Sequence, residues 1–330
     1  MSSLATLGRP SGPNWLVLRL HRPALLVWAV MVLGGIALLL WLGGPLTDAS
    51  ADAWDRYNAC VDSGCPYDQD AITTYKSVAL YSACLVALAP LAIAAWAGGS
   101  LFGREMEDGT AQLAWTQSVR PAHWLAAKLA LPAALVVVGL TPLALLHRRA
   151  WSAGQHRVDT LKPWTDTLTY NAGGTVPVAI ALFALAFGAV AALRLGRTLG
   201  ALGLTVVTTF GVWAAATLLR PHLWPTVTRV SGLGADSIPG TSGAESLGHG
   251  IITSGGARLT GDSACYLPGF QEDPACVRKL EQLHATGYFA DIHPVSHFWP
   301  LQLVETGIIL ALTAVMTYTA FRLLAQKAAA

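Results

Sequence analysis

The sequence predicts an all-α membrane protein with six transmembrane helices and a small disulfide-bonded extracellular region between helices 5 and 6. Composition is the first observation, because 53% of the 330 residues are hydrophobic and only 12% are charged, roughly half the charge of a soluble domain. The second observation is a set of six apolar runs of bilayer length. The third is a long polar segment before the last run, which contains two of the five cysteines.

Each apolar run predicts a helix, because backbone polar groups in hydrocarbon must be paired within the chain. The predicted spans are residues 24–42, 78–97, 125–146, 176–193, 199–219 and 301–324. Pro132 and Pro142 predict a kink in the third span. Lys128, near the start of that span, is expected to extend its amine to the lipid headgroups.

The distribution of basic residues favours cytoplasmic termini. In that orientation ten basic residues flank the spans on the inner side and six lie in the two short outer loops. The ten are Arg9, Arg19, Arg22, Arg104, Arg120, Lys128, Arg194, Arg197, Arg322 and Lys327, and the six are Arg56, Lys76, Arg148, Arg149, Arg157 and Lys162. The prediction is a multi-pass cell-membrane protein with residues 98–124 inside and residues 220–300 outside. A net charge of +2 gives no reason to expect a nucleic-acid partner.

Four of the five cysteines fall in the predicted outer segments. Cys60 and Cys65 share the first, Cys265 and Cys276 share the long one, and Cys84 lies within an apolar run. Cysteines confined to one side of a membrane fit an oxidising exterior. We expect disulfides among the four, with Cys276 joined to Cys265, while other pairings and four free thiols stay open.

The outer segments themselves give weaker signals. Gly43 to Ser77 contains six aspartates without calcium-loop spacing, so a solvated acidic loop is expected. Residues 230–261 are rich in Gly and Ser and predict loop or short strands. Asp273-Pro274 predicts the start of a short helix that ends at Gly287. The apolar stripe of that helix would be Val277, Leu280 and Leu283.

Two polar features accompany the last span. Glu305 lies one turn inside it, near Gln302, and an acid in hydrocarbon is costly and tends to face the bundle interior. These two residues are predicted either to line the translocation path or to bond to a neighbouring helix. His293 and His297 are four residues apart, but Pro294 disfavours a regular helix between them and no third ligand is evident, so no metal site is predicted.

The segment between the second and third spans is built differently from both. Gly98 and Gly99 are expected to end the second span, and three acids then fall within four residues. These acids are Glu105, Glu107 and Asp108. Gly109-Thr110 would break and restart the chain before a short helical run, whose first N–H groups Asp108 or Thr110 can accept.

This segment resembles the first cytoplasmic loop of ABC-2-type transporter permeases, the actinobacterial kind in particular. The resemblance lies in Gly103-Arg104-Glu105-x-Glu107-x-Gly109-Thr110, then Ala114-Trp115-Thr116-Gln117-Ser118-Val119, Trp124 and Lys128-Leu129. Four further stretches resemble the same family. They are Trp15 to Arg22, Gly173 to Phe187, Leu219 to His222, and His293 to Glu305. Trp15 to Arg22 would form either an interfacial helix or simply the basic flank of the first span.

The resemblance implies one ABC-2-type permease domain over residues 1–330, acting as the membrane subunit of an ATP-driven exporter. Residues 98–124 would be the coupling loop that docks on a separate ATP-binding subunit, and a second permease copy or homologue would complete a dimer. The residues implied for that contact are Arg104, Glu105, Glu107, Asp108, Gly109, Thr110, Gln117 and Arg120. Because the sequence has no Gly-x4-Gly-Lys-Ser/Thr motif, ATP and Mg²⁺ are expected on the partner, and this chain is expected to bind no cofactor and to be no enzyme.

An alternative is an ATP-independent membrane binding or immunity protein that captures an external ligand through residues 220–300. Its function would survive loss of the inner loop but not of the long outer segment. Arg19 to Arg22 before the first run, with Ala49-Ser50-Ala51 after it, also matches a cleaved signal peptide, although the run is longer than usual for one.

Overall fold

The computed structural model describes residues 22–60, 66–116, 120–261, 264–269 and 273–329. Six helices in these ranges are long and apolar enough to cross a membrane, which confirms the predicted number of spans. They are Arg22–Asn58, Gln69–Glu107, Pro121–Gly154, Val176–Leu195, Thr198–His222 and Val295–Ala328. The predictions made for residues before Arg22, for Cys65 and for Gln117 lie outside the described residues.

The membrane helices are longer than the apolar runs, because polar turns extend several of them. The helices are α1 (Arg22–Trp41), α2 (Thr47–Asn58), α3 (Gln69–Trp96), α4 (Arg104–Glu107), α5 (Thr110–Thr116), α6 (Pro121–Gly154), α7 (Thr167–Ala172), α8 (Val176–Leu195), α9 (Thr198–Leu219), α10 (Pro274–Gln282) and α11 (Phe298–Ala329). The strands are β1 (Val227–Gly232), β2 (Glu245–Thr253), β3 (Arg258–Thr260) and β4 (Ala285–His293). Pro132 and Pro142 lie within the single helix α6.

The first outer segment is largely helical, so the expected loop from Gly43 to Ser77 is wrong in its secondary structure. A π-helical turn, Leu42–Leu46, joins α1 to α2 and contains Gly44 at φ −127° and ψ −107°. Helix α2 buries one small-residue face, and its Ala53 packs in a cluster with Ala71 and Ile72 of α3. The described aspartates of this segment are exposed, as the sequence predicts. They are Asp48, Asp52, Asp55, Asp68 and Asp70.

Gly98 and Gly99 do not end the second span, contrary to the sequence-based expectation. The helix continues through a π-helical segment, Ala97–Gly103, in which both glycines are buried. A Cβ atom on Gly98 would lie 2.6 Å from the carbonyl oxygen of Ala201 in α9. Glycine is therefore needed here for close approach between helices and not for a chain break.

The chain forms two compact units. The first comprises Met1–Leu161, Asn171–Ala214 and Thr306–Ala330, and the second comprises Lys162–Tyr170 and Ala215–Glu305. In the first unit α8 is the central helix, because 78% of the residues in its most apolar stretch are buried, a larger share than in the other five spans. It packs against α3, α6 and the segment Ala97–Gly103.

The second unit contains an antiparallel sheet with strand order β1-β4-β2-β3. Of the two alternatives expected for residues 230–261, loop or short strands, the short strands are present as the end of β1, β2 and β3. The core of the unit is apolar and joins the sheet to α10. It contains Ile238, Ile251, Leu280, Tyr288, Ala290 and Ile292.

Helix α10 begins as predicted, because the Asp273 side chain accepts a hydrogen bond of 2.8 Å from the backbone N–H of Ala275 and Pro274 takes the first helical position. Two details of the prediction are wrong. Val277 is exposed, and Gly287 lies within β4 and not at the helix end. A close backbone contact explains this glycine, since a Cβ there would lie 2.4 Å from the Ser231 carbonyl oxygen.

The predicted bond between Cys265 and Cys276 is present, with the two Cα atoms 4.9 Å apart. Cys60 is also disulfide-bonded, whereas Cys84 is a free thiol. The pair Cys265–Cys276 fastens the start of α10 to the preceding turn, Ala264–Tyr266.

Candidate functional site

The segment between the second and third spans has a helix–break–helix form. After Ala97–Gly103 the chain makes α4, turns at Gly109 with φ +69°, and continues as α5. This positive φ favours glycine, which is the reason that a glycine stands at the break. Arg120 then adopts an extended conformation, φ −60° and ψ 130°, directly before Pro121 opens α6. The sequence predicted the break at Gly109, but it began the third span at residue 125, four residues after the start of α6.

One internal contact fixes the base of this segment to α6. Lys128 is buried, and its ammonium group donates a hydrogen bond of 2.7 Å to the carbonyl oxygen of Leu101. The same nitrogen lies 2.5 Å from Oε1 of Glu105. The rings of Phe102 and Trp124 flank it, with centroids 5.9 and 5.2 Å away. Lys128 therefore does not extend to the lipid headgroups; the expectation from its position near a span end is wrong because the carbonyl and the carboxylate satisfy its charge internally.

A second internal contact fixes the segment to α9. The carboxylate of Glu107 accepts a hydrogen bond of 2.8 Å from the backbone N–H of Thr198, the first residue of that helix. An acceptor with negative charge suits the unpaired N–H groups and the positive dipole end of a helix N-terminus. Gly103 approaches the same point, because a Cβ on it would lie 3.1 Å from the Cα of Thr198.

The remaining predicted residues of this segment face outward where the structure describes them. Arg104 and Asp108 form an i,i+4 ion pair of 3.7 Å with side chains 77% and 56% exposed. Thr110 and Arg120 are exposed too. Two members of the predicted set thus bond inside the chain, Glu105 to Lys128 and the exposed Glu107 to Thr198, whereas Arg104, Asp108, Thr110 and Arg120 are exposed at the surface. Sequence reasoning missed the roles of Lys128 and Thr198, although a lysine beside an acid-rich span end is a signal for such a pair.

The predicted polar pair of the last span, Gln302 and Glu305, lies in a buried cluster of the second unit. Nε of Arg220 is 3.1 Å from Oε2 of Glu305, and both side chains are almost fully buried. The Arg220 guanidinium also lies over the Tyr170 ring, 3.5 Å from its centroid. Gln302 donates a hydrogen bond of 2.9 Å to the carbonyl oxygen of Tyr170. This geometry fits the alternative in which Glu305 bonds to a neighbouring helix; Arg220 and Tyr170 were missed because they lie far away in the sequence.

Burial and charge both act on the phenol of this cluster. Burial raises the pKa of Tyr170, and the nearby negative charge of Glu305 raises it further, while Arg220 acts in the opposite direction. Tyr170 therefore stays neutral at physiological pH. Its role is to cover the ion pair with an aromatic face, which a cation above the ring favours.

His293 and His297 meet at the end of β4. Their Nδ1 atoms are 3.0 Å apart, and Nε2 of His293 is 3.0 Å from the carbonyl oxygen of Pro221. A carbonyl only accepts, so His293 carries its proton on Nε2, and in the neutral pair His297 donates to His293. Among the residues described by the structure, no group of three or more His, Cys, Asp or Glu side chains is placed to hold a metal ion.

Comparison with known families identifies the family to which this chain belongs. The model of the family described as ABC-2 membrane transporter related matches residues 27–220. The chain belongs to this family. The matched range contains the second, third and fourth spans, nearly all of the first and fifth, and the whole helix–break–helix segment. The searches of curated proteins and of solved structures gave no match.

Family membership agrees with the six spans and establishes a permease-type role in the membrane. ABC-2 membrane proteins are transport components and not a catalytic family. The resemblance drawn from Gly103 to Thr110 is thereby confirmed at the level of the family. Residues 221–330, with most of the second unit and the last span, lie beyond the matched range.

Proposed function

We propose that this ABC-2 chain is the membrane-spanning subunit of an ATP-driven exporter, coupled through residues 98–124 to a separate ATP-binding subunit. A second permease copy or homologue completes the membrane part as a dimer. ATP and Mg²⁺ bind to the partner, because this sequence lacks the phosphate-binding loop that they need. The chain resides in the cell membrane with both termini in the cytoplasm.

The observation that carries this proposal is the combination of a fixed base and an exposed tip in one segment. Lys128 holds the base to α6, and Glu107 holds it to α9. Arg104 and Asp108 remain on the surface next to the break at Gly109. A force applied by a partner at the exposed tip would therefore be transmitted to three membrane helices, because packed elements move as rigid bodies.

The position of residues 98–124 also determines which parts of the chain lie on each side of the membrane in this proposal. With six spans, both chain ends lie on the membrane side of residues 98–124. The disulfide Cys265–Cys276 then lies on the opposite side, which suits an oxidising exterior. Residues 220–300 are accordingly the extracellular region in this proposal.

The test is co-purification of the chain from its native membrane under gentle detergent extraction. The wild-type chain should recover an ATP-binding subunit at a stoichiometric ratio. Replacing Arg104→Ala together with Asp108→Ala should reduce that recovery about tenfold, as expected for loss of a charged contact at an interface. The matched control is Asp52→Ala with Arg56→Ala, the same residue types, also exposed, on the opposite membrane side.

Two results would contradict the coupling proposal. The first is absence of any ATP-binding subunit from the wild-type preparation. The second is equal loss of the subunit in the control variant. In the first case the alternative hypothesis should be tested next. In that hypothesis residues 220–300 capture an external ligand without ATP.

A further inference from the structure

A cationic pocket lies where the fourth and sixth spans end. Arg194 stands in the last turn of α8, and Lys327 stands in the last turn of α11. With Gln326, Leu193 and Leu323 they line a pocket of about 300 Å³. Even-numbered spans all end on the same membrane side, so this pocket faces the side of residues 98–124 at the level of the lipid headgroups.

The two cations of this pocket lack an anionic partner within the part of the chain that the structure describes. Among the described residues, no carboxylate oxygen lies within 4.0 Å of the charged nitrogen atoms of Arg194 or Lys327. Arg197, three residues after Arg194, differs because it acts electrostatically on Glu107. Two positive charges that share one concavity repel each other, and an anion between them removes that repulsion.

The lining of the cationic pocket is also amphipathic. Gln326 adds a neutral hydrogen-bond donor beside the two charges, while Leu193 and Leu323 provide apolar surface. A ligand that satisfies both parts carries a phosphate and a hydrocarbon chain. Basic pockets between membrane helices at the interfacial level bind such headgroups.

We propose that the cationic pocket binds the phosphate of an anionic phospholipid, with its acyl chain along Leu193 and Leu323. Arg194 and Lys327 neutralise the phosphate, and Gln326 donates a hydrogen bond to it. The proposal needs only the membrane topology and the pocket, so it does not rest on coupling to an ATP-binding subunit.

The test uses the purified full chain in detergent, after removal of native lipid. Phosphatidylglycerol and phosphatidylcholine are added separately, and bound lipid is counted by native mass spectrometry while thermal unfolding is followed in parallel. The wild-type chain should bind phosphatidylglycerol selectively and gain thermal stability from it. Arg194→Gln with Lys327→Gln should weaken that binding roughly tenfold or more, since each basic residue near a lipid surface contributes to anion affinity.

The matched control is Arg120→Gln with Arg322→Gln, which removes the same charge on the same membrane side without touching the pocket. It should bind phosphatidylglycerol within about twofold of the wild-type chain. The charge-retaining variant Arg194→Lys with Lys327→Arg should keep the binding. Should the double Gln variant fail to fold, the single change Lys327→Gln at an exposed position serves instead.

Three outcomes would contradict the proposal that the cationic pocket binds an anionic phospholipid. Equal loss in the control variant would show a diffuse charge effect and not a pocket. Equal binding of phosphatidylcholine would show that the charge of the lipid is irrelevant. Equal stabilisation by inorganic phosphate would show that the site takes a free anion and no lipid.

Discussion

Lys128 and Glu105 form an ion pair across the boundary between the third span and the candidate coupling segment, with Nζ and Oε1 2.5 Å apart. Their side chains are only 5% and 18% exposed. The lysine also donates a hydrogen bond to the carbonyl oxygen of Leu101. A single buried pair therefore ties the conformation of residues 101–105 to α6.

Removing the acid of this pair should destabilise the protein. Glu105→Gln leaves a buried ammonium group without its counter-charge, which costs about 3 kcal/mol and should lower the midpoint of thermal unfolding by roughly 5 °C. The control is Asp108→Asn, which removes an acid from the exposed pair with Arg104 and should change the midpoint little. An unchanged midpoint for Glu105→Gln would show that the internal pair contributes nothing to stability.

A methyl group at Gly98 should separate two helices. Gly98→Ala places a Cβ 2.6 Å from both the Ala201 carbonyl oxygen and the Thr205 hydroxyl, so α9 must shift. Overpacking of this kind costs about 1–3 kcal/mol. Gly203→Ala in α9 is the matched control, because nothing lies within 4 Å of its added Cβ, and it should be neutral or slightly stabilising. Thermal unfolding in detergent measures both, and a lower midpoint in Gly203→Ala than in Gly98→Ala would contradict the packing.

The buried pair of Arg220 and Glu305 should respond differently to single and double changes. Arg220→Met or Glu305→Leu alone leaves an unpaired buried charge and should cost about 3–5 kcal/mol. The double change Arg220→Met with Glu305→Leu should recover most of that loss, giving a strong coupling energy in a double-mutant cycle. Arg258→Gln is the control, because its contact with Asp291 is long, 3.7 Å, and half exposed.

The same double variant decides whether Glu305 has a second role. If the carboxylate only bonds to Arg220, transport of the cargo in reconstituted vesicles should recover together with stability. If Glu305 lines the translocation path, the double variant should fold and remain inactive. Additive unfolding energies in the cycle would show that the two side chains are not coupled at all.

The disulfide Cys265–Cys276 should stabilise the second unit locally. It closes a loop with a sequence separation of 11, for which chain entropy predicts about 3 kcal/mol. Replacing both cysteines by Ser should raise hydrogen exchange across residues 227–293 while exchange in the membrane helices stays unchanged. Cys84→Ser, which alters a free thiol, should leave exchange in that region as it is in the wild-type chain. Equal exchange in all three proteins would remove any stabilising role from the bond.

Alkaline pH should weaken the sheet through Tyr288. Burial raises the pKa of this phenol, so the unfolded chain, with an ordinary pKa near 10, loses the proton first. The stability that depends on the neutral phenol is therefore complete below pH ~10 and is lost as the pH rises through the raised value. Tyr288→Phe should flatten this dependence at little cost, because no described group bonds to the buried hydroxyl.

The measurement for Tyr288 is hydrogen exchange of β4 in the wild-type and variant chains at neutral pH and above pH ~10. Tyr57→Phe, at an exposed position in α2, is the control and should not alter the response of β4. A response in Tyr288→Phe that equals that of the wild-type chain would assign the alkaline loss to other groups.

The sequence alone determined the spans and several helix ends, because these features depend on the chemistry of neighbouring residues. A run of about 20 apolar residues specifies a membrane helix wherever it occurs, and Asp273-Pro274 specifies a helix start through its own side chain. The family motif from Gly103 to Thr110 also needs no tertiary information. The helix α2 was missed because its many aspartates favour a loop, whereas its small residues become buried only against α3.

Tertiary structure alone decided which partner each of the charged side chains meets. Lys128 and Glu105 are 23 positions apart, Glu107 and Thr198 are 91 apart, and Arg220 and Glu305 are 85 apart. The sequence shows that each of these residues is polar and close to a span, but not which partner it meets. That choice depends on how the helices pack, because a buried charge is stabilised only by a counter-charge or dipole that another element brings within hydrogen-bond distance.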